Sequence, residues 1–451
     1  MLKKIIFLSV IVSQITISCS KNEEEISSQQ SIEEQIAAIV KQPYSKLTPT
    51  EQKVKLEAEA NDMLVQMDKS KTSGAIEAIE NLGNLLDIRS IDIFNGKNDN
   101  EIEDILNVSG VYGIYTWNNS NQVWDKTAST TELKFVFPAK KSLTTNNASL
   151  SSKSTSSDIK VKIEDTYGGG YYNYNSQTWV QYPNIYDQIY LPTSVDAILT
   201  IDNAPAATFA ANAKYTGTKE TPDEAGFKIT LNDGYTYEIS GKKSTESAAK
   251  SSFTYNGKNL ISFNFGSTAN IDEVLNDDSD LIDFKGKANG LIQLMDNFVI
   301  VAEMDITGLT TDENALDKSL IYPDYNKKNY FTDINSYNLK YSEGYVAAYN
   351  KNNKLILVSK KDGTKIADVI LRSEKGYSYT DNYTRWIVSN NNSNGGYWGY
   401  NSNGGTLVQY YDEVLYLKFS DSTEVSMSSY FSTGFDNLER KFEDFLKAFE
   451  R

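Results

Sequence analysis

From about Val111 to Phe431 the chain alternates apolar and polar residues with a period of two. That alternation constrains the fold more than any other feature. Phe227, Ile229 and Leu231 alternate up to Asp233-Gly234, and Tyr235, Tyr237 and Ile239 alternate after it. Successive side chains of a strand point to opposite faces, so each set forms one apolar row. An Asp-Gly pair between two such rows predicts a hairpin, because a type I′ turn needs positive φ at both central residues. Asn256-Gly257 repeats the arrangement between Phe253, Tyr255 and Ile261, Phe263, Phe265. Asp362-Gly363 does so between Ile356, Val358 and Ile366. Looser turns are expected at 118–121 and 350–353, with Trp117-Asn118, Tyr255-Asn256 and Tyr349-Asn350 as strand ends. Hairpins in succession give an antiparallel meander. So many strands leave edges that must be covered, and a curved or partly closed sheet is expected.

Helical signals flank this region. Thr48-Pro49-Thr50-Glu51 reads as a capping box with proline at the first helical position. Leu56, Ala60, Met63, Leu64 and Met67 follow on one helical face, and Ala75, Ile79, Leu82 and Leu86 make a second. The two are expected to form an antiparallel pair joined around 69–74, packed on the chain's own domain rather than on a partner. At the far end Phe435, Leu438, Phe442, Phe445, Leu446 and Phe449 form an apolar stripe opposite Glu439, Arg440, Lys441, Glu443, Asp444 and Lys447. A stripe of that width belongs to an amphipathic helix that packs on the sheet. The fold class is therefore α+β: a large antiparallel meander with a helical pair before it and an amphipathic helix after it. The expected organisation is a helical region at 32–109 and a β-rich domain at 110–451. The Ser/Thr/Asn-rich stretch 142–157 reads as an exposed loop or a boundary between two β domains.

The first residues read as an export signal. Lys3 and Lys4 precede a short apolar stretch from Ile5 to Ile15, too short to span a bilayer as a mature helix. Cys19, the chain's single cysteine, follows Thr16-Ile17-Ser18. A small residue before a cysteine at the end of such a stretch resembles the lipobox of bacterial lipoproteins, although Thr16 stands where an aliphatic residue is usual. The resemblance implies a signal peptide at 1–18, lipidation of Cys19, and membrane attachment through the lipid anchor. Several acyl chains would hold stably, each buried CH₂ contributing ~0.8 kcal/mol. Ser20-Lys21-Asn22-Glu23-Glu24-Glu25 then resembles the export tag of Bacteroidota-type lipoproteins displayed on the outer membrane. Residues 19–31 are expected to be a flexible, lipid-anchored tether facing the cell exterior.

Composition excludes much chemistry. The chain has no histidine, which removes Ser-His-Asp and Cys-His catalysis and histidine-bound zinc. Asp+Glu 60 against Lys+Arg 44 argues against nucleic acid, whose binding rests on neutralising phosphates. Asp412-Glu413, among Tyr410, Tyr411 and Tyr416, is the most suggestive carboxylate pair. Adjacent strand residues point to opposite faces, so these two cannot serve together as a hydrolytic pair. Asp99, Glu101, Glu103 and Asp104, and the run Asp277-Asp278-Ser279-Asp280, offer oxygen ligands without calcium-loop spacing. They read as solvated acidic loops. No cofactor or metal is expected, and no enzyme.

The aromatic loops are the candidate site. The chain has 30 tyrosines, and several sit among glycines and asparagines rather than in alternating strands. Tyr171, Tyr172, Tyr174 and Trp179 form one group, and Tyr397, Trp398 and Tyr400 another. Flat rings beside asparagine amides suit stacking on sugar rings, while tyrosine also fits half-buried sheet surfaces. The leading expectation is a non-enzymatic envelope lipoprotein that binds a glycan or an envelope protein. A carrier of lipid or another hydrophobic ligand on a curved sheet comes second, and a carboxylate hydrolase third.

Overall fold

Turn chemistry sets the register of the sheet. A computed structural model of the protein describes residues 32–70, 73–88, 105–106, 108–166, 169–243, 247–268 and 286–431. Cys19 and the tether, the acidic runs at 99–104 and 277–280, and the stripe at 433–449 lie outside the described residues. Strands β1 (Gly113–Asn118) and β2 (Val123–Thr127) form a hairpin, and β3 (Leu133–Phe137) runs parallel to β1. β4 (Ala148–Thr166) returns along β7 (Ile185–Ile201), and between them stands a separate small hairpin, β5 (Gly170–Asn173) with β6 (Thr178–Gln181). The meander continues through β8 (Ala204–Lys214), β9 (Glu224–Leu231), β10 (Tyr235–Lys242) and β11 (Ser247–Tyr255). It goes on through β12 (Lys258–Ser267), β13 (Lys287–Leu294), β14 (Phe298–Asp305) and β15 (Asn353–Ser359). β16 (Thr364–Asp381) and β19 (Thr406–Lys418) make a second long hairpin, which holds a small one of β17 (Arg385–Val388) and β18 (Gly396–Gly399). β20 (Glu424–Ser426) closes the order β2-β1-β3-β4-β7-β8-β9-β10-β11-β12-β13-β14-β15-β16-β19-β20.

This is the α+β fold with one large, mostly antiparallel sheet that the alternation predicts. The sheet is open, with β2 and β20 at opposite ends, so of the two alternatives expected, curved or partly closed, closure does not occur. Turn types differ in detail. Asn256-Gly257 has positive φ at both residues, as a type I′ turn requires, and so does Asp202-Asn203, which carries no glycine. At Asp233-Gly234 only Gly234 is left-handed, at φ 101°, and its amide donates to the Leu231 carbonyl. That is a three-residue loop, not the expected two-residue turn. At Asp362-Gly363 likewise only Gly363 has positive φ, in a four-residue loop.

Two further readings are corrected. Residues 148–157 are not loop but the first half of β4, with Ala148, Leu150 and Ser152 buried. Serine at six of the ten positions disguised the alternation, because its strand preference is weak and a buried serine reads as polar. The second correction concerns 306–352, which lies between β14 and β15 as two helices, α-helical at Ile306–Ser319 and Tyr330–Asn352. The expected turn at 350–353 and the strand end at Tyr349 are the last turn of the second helix. Phe331, Ile334, Val346 and Tyr349 are buried on it, while Tyr337, Tyr341, Tyr345 and Tyr349 recur every four residues, a helical spacing hidden by a strand-favouring residue.

Helices α1 (Ile32–Val40), α2 (Pro49–Ser70) and α3 (Gly74–Ile88) precede the sheet. The capping box at α2 is formed: the Thr48 amide donates to Glu51 Oε2 at 2.8 Å and the Glu51 amide to Thr48 Oγ1 at 3.3 Å. The Thr48 amide, and after it the Thr48 hydroxyl that donates to the same Oε2 at 2.8 Å, hold the Glu51 carboxyl below its ordinary range. α2 and α3 cross the sheet beside its tight turns. Near its start, α2 accepts the Tyr430 hydroxyl at the Pro49 carbonyl, 2.7 Å away. Lys55 then meets Asp362 and Glu59 meets Lys361, both at 2.9 Å, and Tyr235 donates to the Gln66 carbonyl. α3 carries on along the sheet to the other end, so the two helices follow one another rather than forming the expected antiparallel pair; there Asn81 donates to the Pro138 carbonyl and Trp124 to the Leu85 carbonyl. Leu56, Met63, Met67, Ile79, Leu82 and Leu86 are buried in the main core with Tyr115, Phe135, Phe253 and Phe298. α1 sits on the opposite face, where Ile36 packs with Val299, Val301, Ile356 and Val358. Below, α4 is Ile306–Ser319, α5 is Tyr330–Asn352 and α6 is Met427–Tyr430.

Strand direction alternates from β3 to β20, so the connections sort by rim. The tight turns at 202–203, 232–234, 256–257, 295–297 and 360–363 share one rim. The β5–β6 hairpin, the α4–α5 pair and the β17–β18 hairpin all leave from the other.

Candidate functional site

Both predicted aromatic groups lie on that second rim, on two ribbons that project beyond their neighbours. β3 pairs with β4 only as far as Ser152, and β8 with β7 only from Ser194. From Ser156 to Thr166 and Ile185 to Pro192 the chain is therefore a two-stranded arm, roughly 30 Å long at the rise of a strand. β16 outruns β15 after Val369, and β20 pairs with β19 only from Tyr416, so 370–381 with 406–415 make a second arm. Eight strands separate the two arms in the sheet order. The structure does not bring the two aromatic groups into one site.

In the first arm the aromatic rings face water. The small hairpin pairs Tyr172 with Trp179 and Tyr171 with Val180, which puts Tyr172 and Trp179 on one face and Tyr171 on the other. Trp179 is 61% exposed and Tyr174 84%. Gly170 makes room for the indole, since a Cβ there would stand 2.4 Å from Trp179 Nε1. That Nε1 donates to Gln181 Oε1 at 3.1 Å. Tyr171 meets Tyr182 on the other face, with ring centroids 6.0 Å apart. Down the arm, exposed Tyr186 and Tyr190 share a face with Lys160 and Lys162, and Lys162 Nζ lies 3.6 Å from the Tyr186 ring centre. The base is tied by Ser109, which donates to the Tyr190 carbonyl, and by Tyr215, which donates to the Pro192 carbonyl. No described helix runs along this arm.

The second arm is backed by α5. Asn335 donates to the Leu407 carbonyl and accepts from the Gln409 amide, and Asn338 donates to the Gln409 carbonyl. Asn350 does the same for both backbone groups of Leu371. Helix amides thus satisfy strand-edge groups that would otherwise need water or another strand. At the tip, Trp398 is half-buried: it stands edge-on to Phe331 at 4.8 Å and to Trp386 at 5.0 Å. Its Nε1 donates to the Tyr325 carbonyl at 2.7 Å. Tyr397 and Tyr400 stay exposed, Tyr400 edge-on to Tyr383. Burial, then the neighbouring Tyr322, pushes the Tyr330 hydroxyl up to about 12. Trp398 is thus committed to packing, whereas Trp179 is not.

The carboxylates of this arm are also engaged. Ser342 donates to Glu413 Oε1 at 2.6 Å. Glu374 stands opposite Asp412 in the register, a cross-strand carboxylate pair that sequence reading missed, and it accepts the Tyr416 hydroxyl. Among the described residues no three metal-binding side chains gather, and no helix is long and apolar enough to cross a membrane. No family model, curated protein or solved structure matches this chain.

Proposed function

We propose that the protein is a cell-envelope lipoprotein, anchored through Cys19, that binds polysaccharide with the bare arm and catalyses no reaction. The observation that carries this reading is the exposure of Tyr171, Tyr172, Tyr174 and Trp179 on a hairpin that nothing described packs against. Exposed rings on both faces of a narrow ribbon suit an extended polymer better than a small molecule, because successive sugars can stack along it without a pocket. Side-chain amides alongside orient the rings: Gln181 accepts from the Trp179 indole, and Asn184 donates to the Tyr186 hydroxyl. The expected setting, an outward-facing lipoprotein on the outer membrane, gives such an arm direct access to polymers outside the cell. The carrier reading finds less support, since the sheet is open and the face under α2 and α3 is filled by Phe135, Phe253 and Phe298. A hydrolase would need free paired carboxylates, and Glu374 and Glu413 are each bonded to a neighbouring hydroxyl.

Affinity electrophoresis of the intact chain in gels cast with neutral or acidic polysaccharides tests the binding. Retardation by at least one polymer is expected, and unchanged mobility in all of them rejects the proposal. Radiolabelled palmitate tests the anchor separately: label should vanish in Cys19→Ser, and label retained there contradicts lipidation.

A further inference from the structure

Far from the arms, beside the tight turns, lies an open cleft of about 540 Å³. One wall is helical: Lys69 at the end of α2, then Ser73, Gly74 and Ala75 where α3 begins. The other is the sheet, with Asn232, Asp233, Tyr235 and Tyr255 from two turns and small apolar residues of β7 and β8 below them.

Three observations converge on this cleft. The first turn of α3 opens into it, and the first amides of a helix have no intrahelical acceptor and carry partial positive charge. The earliest helical bond is from the Glu77 amide to the Ser73 carbonyl. Second, Ser73 is only 4% exposed, yet its hydroxyl has no hydrogen-bond partner among the described residues, a costly state for a buried polar group. It does not fold back to cap its own helix, as a serine in that position ordinarily does. Third, Lys69 Nζ stands at the same mouth, 5.8 Å from the centre of the Tyr255 ring, and Gly74 leaves open space beside the helix start. A hydroxyl donor, helix amides and an ammonium group around one space are the arrangement that receives an oxyanion. Tyr255 offers a ring face beside it, while Asn232 and the exposed Asp233 offer acceptors for hydroxyl groups.

We infer that this cleft is a second binding site, for a small molecule that carries an oxyanion on a hydroxylated ring. The oxyanion sits at the N-terminus of α3 between Ser73 and Lys69, and the ring lies toward Tyr255. The site is independent of the arm and of the polymer-binding reading.

Isothermal titration of the intact chain with inorganic phosphate, inorganic sulfate and glucuronate tests it. Saturable binding of at least one probe is expected; glucuronate above the inorganic ions points to a sugar acid, and phosphate above the others to a phosphorylated ligand. Ser73→Ala and Lys69→Gln should each weaken the bound probe by about tenfold, the loss of one charge-assisted contact. Trp179→Ala should leave it unchanged, which separates failure here from failure of the arm. No saturable heat with any probe overturns the inference. So does binding that neither Ser73→Ala nor Lys69→Gln weakens in variants whose circular dichroism matches that of the intact chain.

Discussion

The two projecting arms are built alike and supported differently. Each is a long antiparallel ribbon leaving the same rim of the sheet, and each holds a small hairpin with a cross-strand aromatic pair, Tyr172 with Trp179 or Trp386 with Trp398. Among the described residues only the second has a helix along it. There α5 takes up edge carbonyls and amides through Asn335, Asn338 and Asn350, and Phe331 gives Trp398 a partner. Similar aromatic, asparagine-rich sequences thus do opposite things. One closes a core, and the other presents rings to solvent.

The largest expected effect comes from removing the support. Phe331→Ala opens the cluster of Phe331, Ile334 and Val408 and should cost about 3–5 kcal/mol, read from urea unfolding. Trp398→Ala should follow at about 2–3 kcal/mol, since it loses a half-buried ring and a hydrogen bond. Trp179→Ala should fall within about 0.5 kcal/mol of the parent chain, as an exposed substitution does. Equal losses at the two tryptophans would break the comparison.

Alkali should act on the backed arm. Tyr330 keeps its proton up to about 12, against about 10 in the unfolded chain. Its contribution is full below the unfolded value and is lost as pH rises through about 12, because the unfolded chain releases the proton first. Unfolding midpoints should therefore fall between about pH 10 and 12, and Tyr330→Phe should reduce that fall. A small effect also belongs to the clip between β16 and β20, where Arg372 grips Glu424 at 2.6 and 2.9 Å. Bonding to Arg372 holds the Glu424 carboxyl below its ordinary range, so its contribution is present above the unfolded pKa and fades as pH falls through the folded one. The pair is partly exposed, and Glu424→Gln at neutral pH should cost at most about 1 kcal/mol.

Much of this architecture is legible in the sequence, because period-two rows and Asn-Gly turns are local signals. The capping box at Thr48 and the buried face of α2 are local as well. What the sequence concealed depends on partners distant along the chain. The tyrosine ridge of α5 reads as strand until Leu371 and Leu415 lie beside Tyr345 and Tyr349. The serines of β4 read as loop until they pair with β3 and β7. The aromatic groups were both visible, but nothing in Tyr397-Trp398 reveals that Phe331, far earlier in the chain, covers the indole. The cleft at Ser73 left no sequence signal at all, since segments from six elements build it.

The most direct measurement compares the two tryptophans in binding. The polysaccharide that most retards the intact chain should be titrated against the parent, Trp179→Ala and Trp398→Ala. The account predicts about tenfold weaker binding for Trp179→Ala, a loss of about 1.4 kcal/mol, and near-parental affinity for folded Trp398→Ala. Parental affinity in Trp179→Ala, or a loss confined to Trp398→Ala, would contradict it.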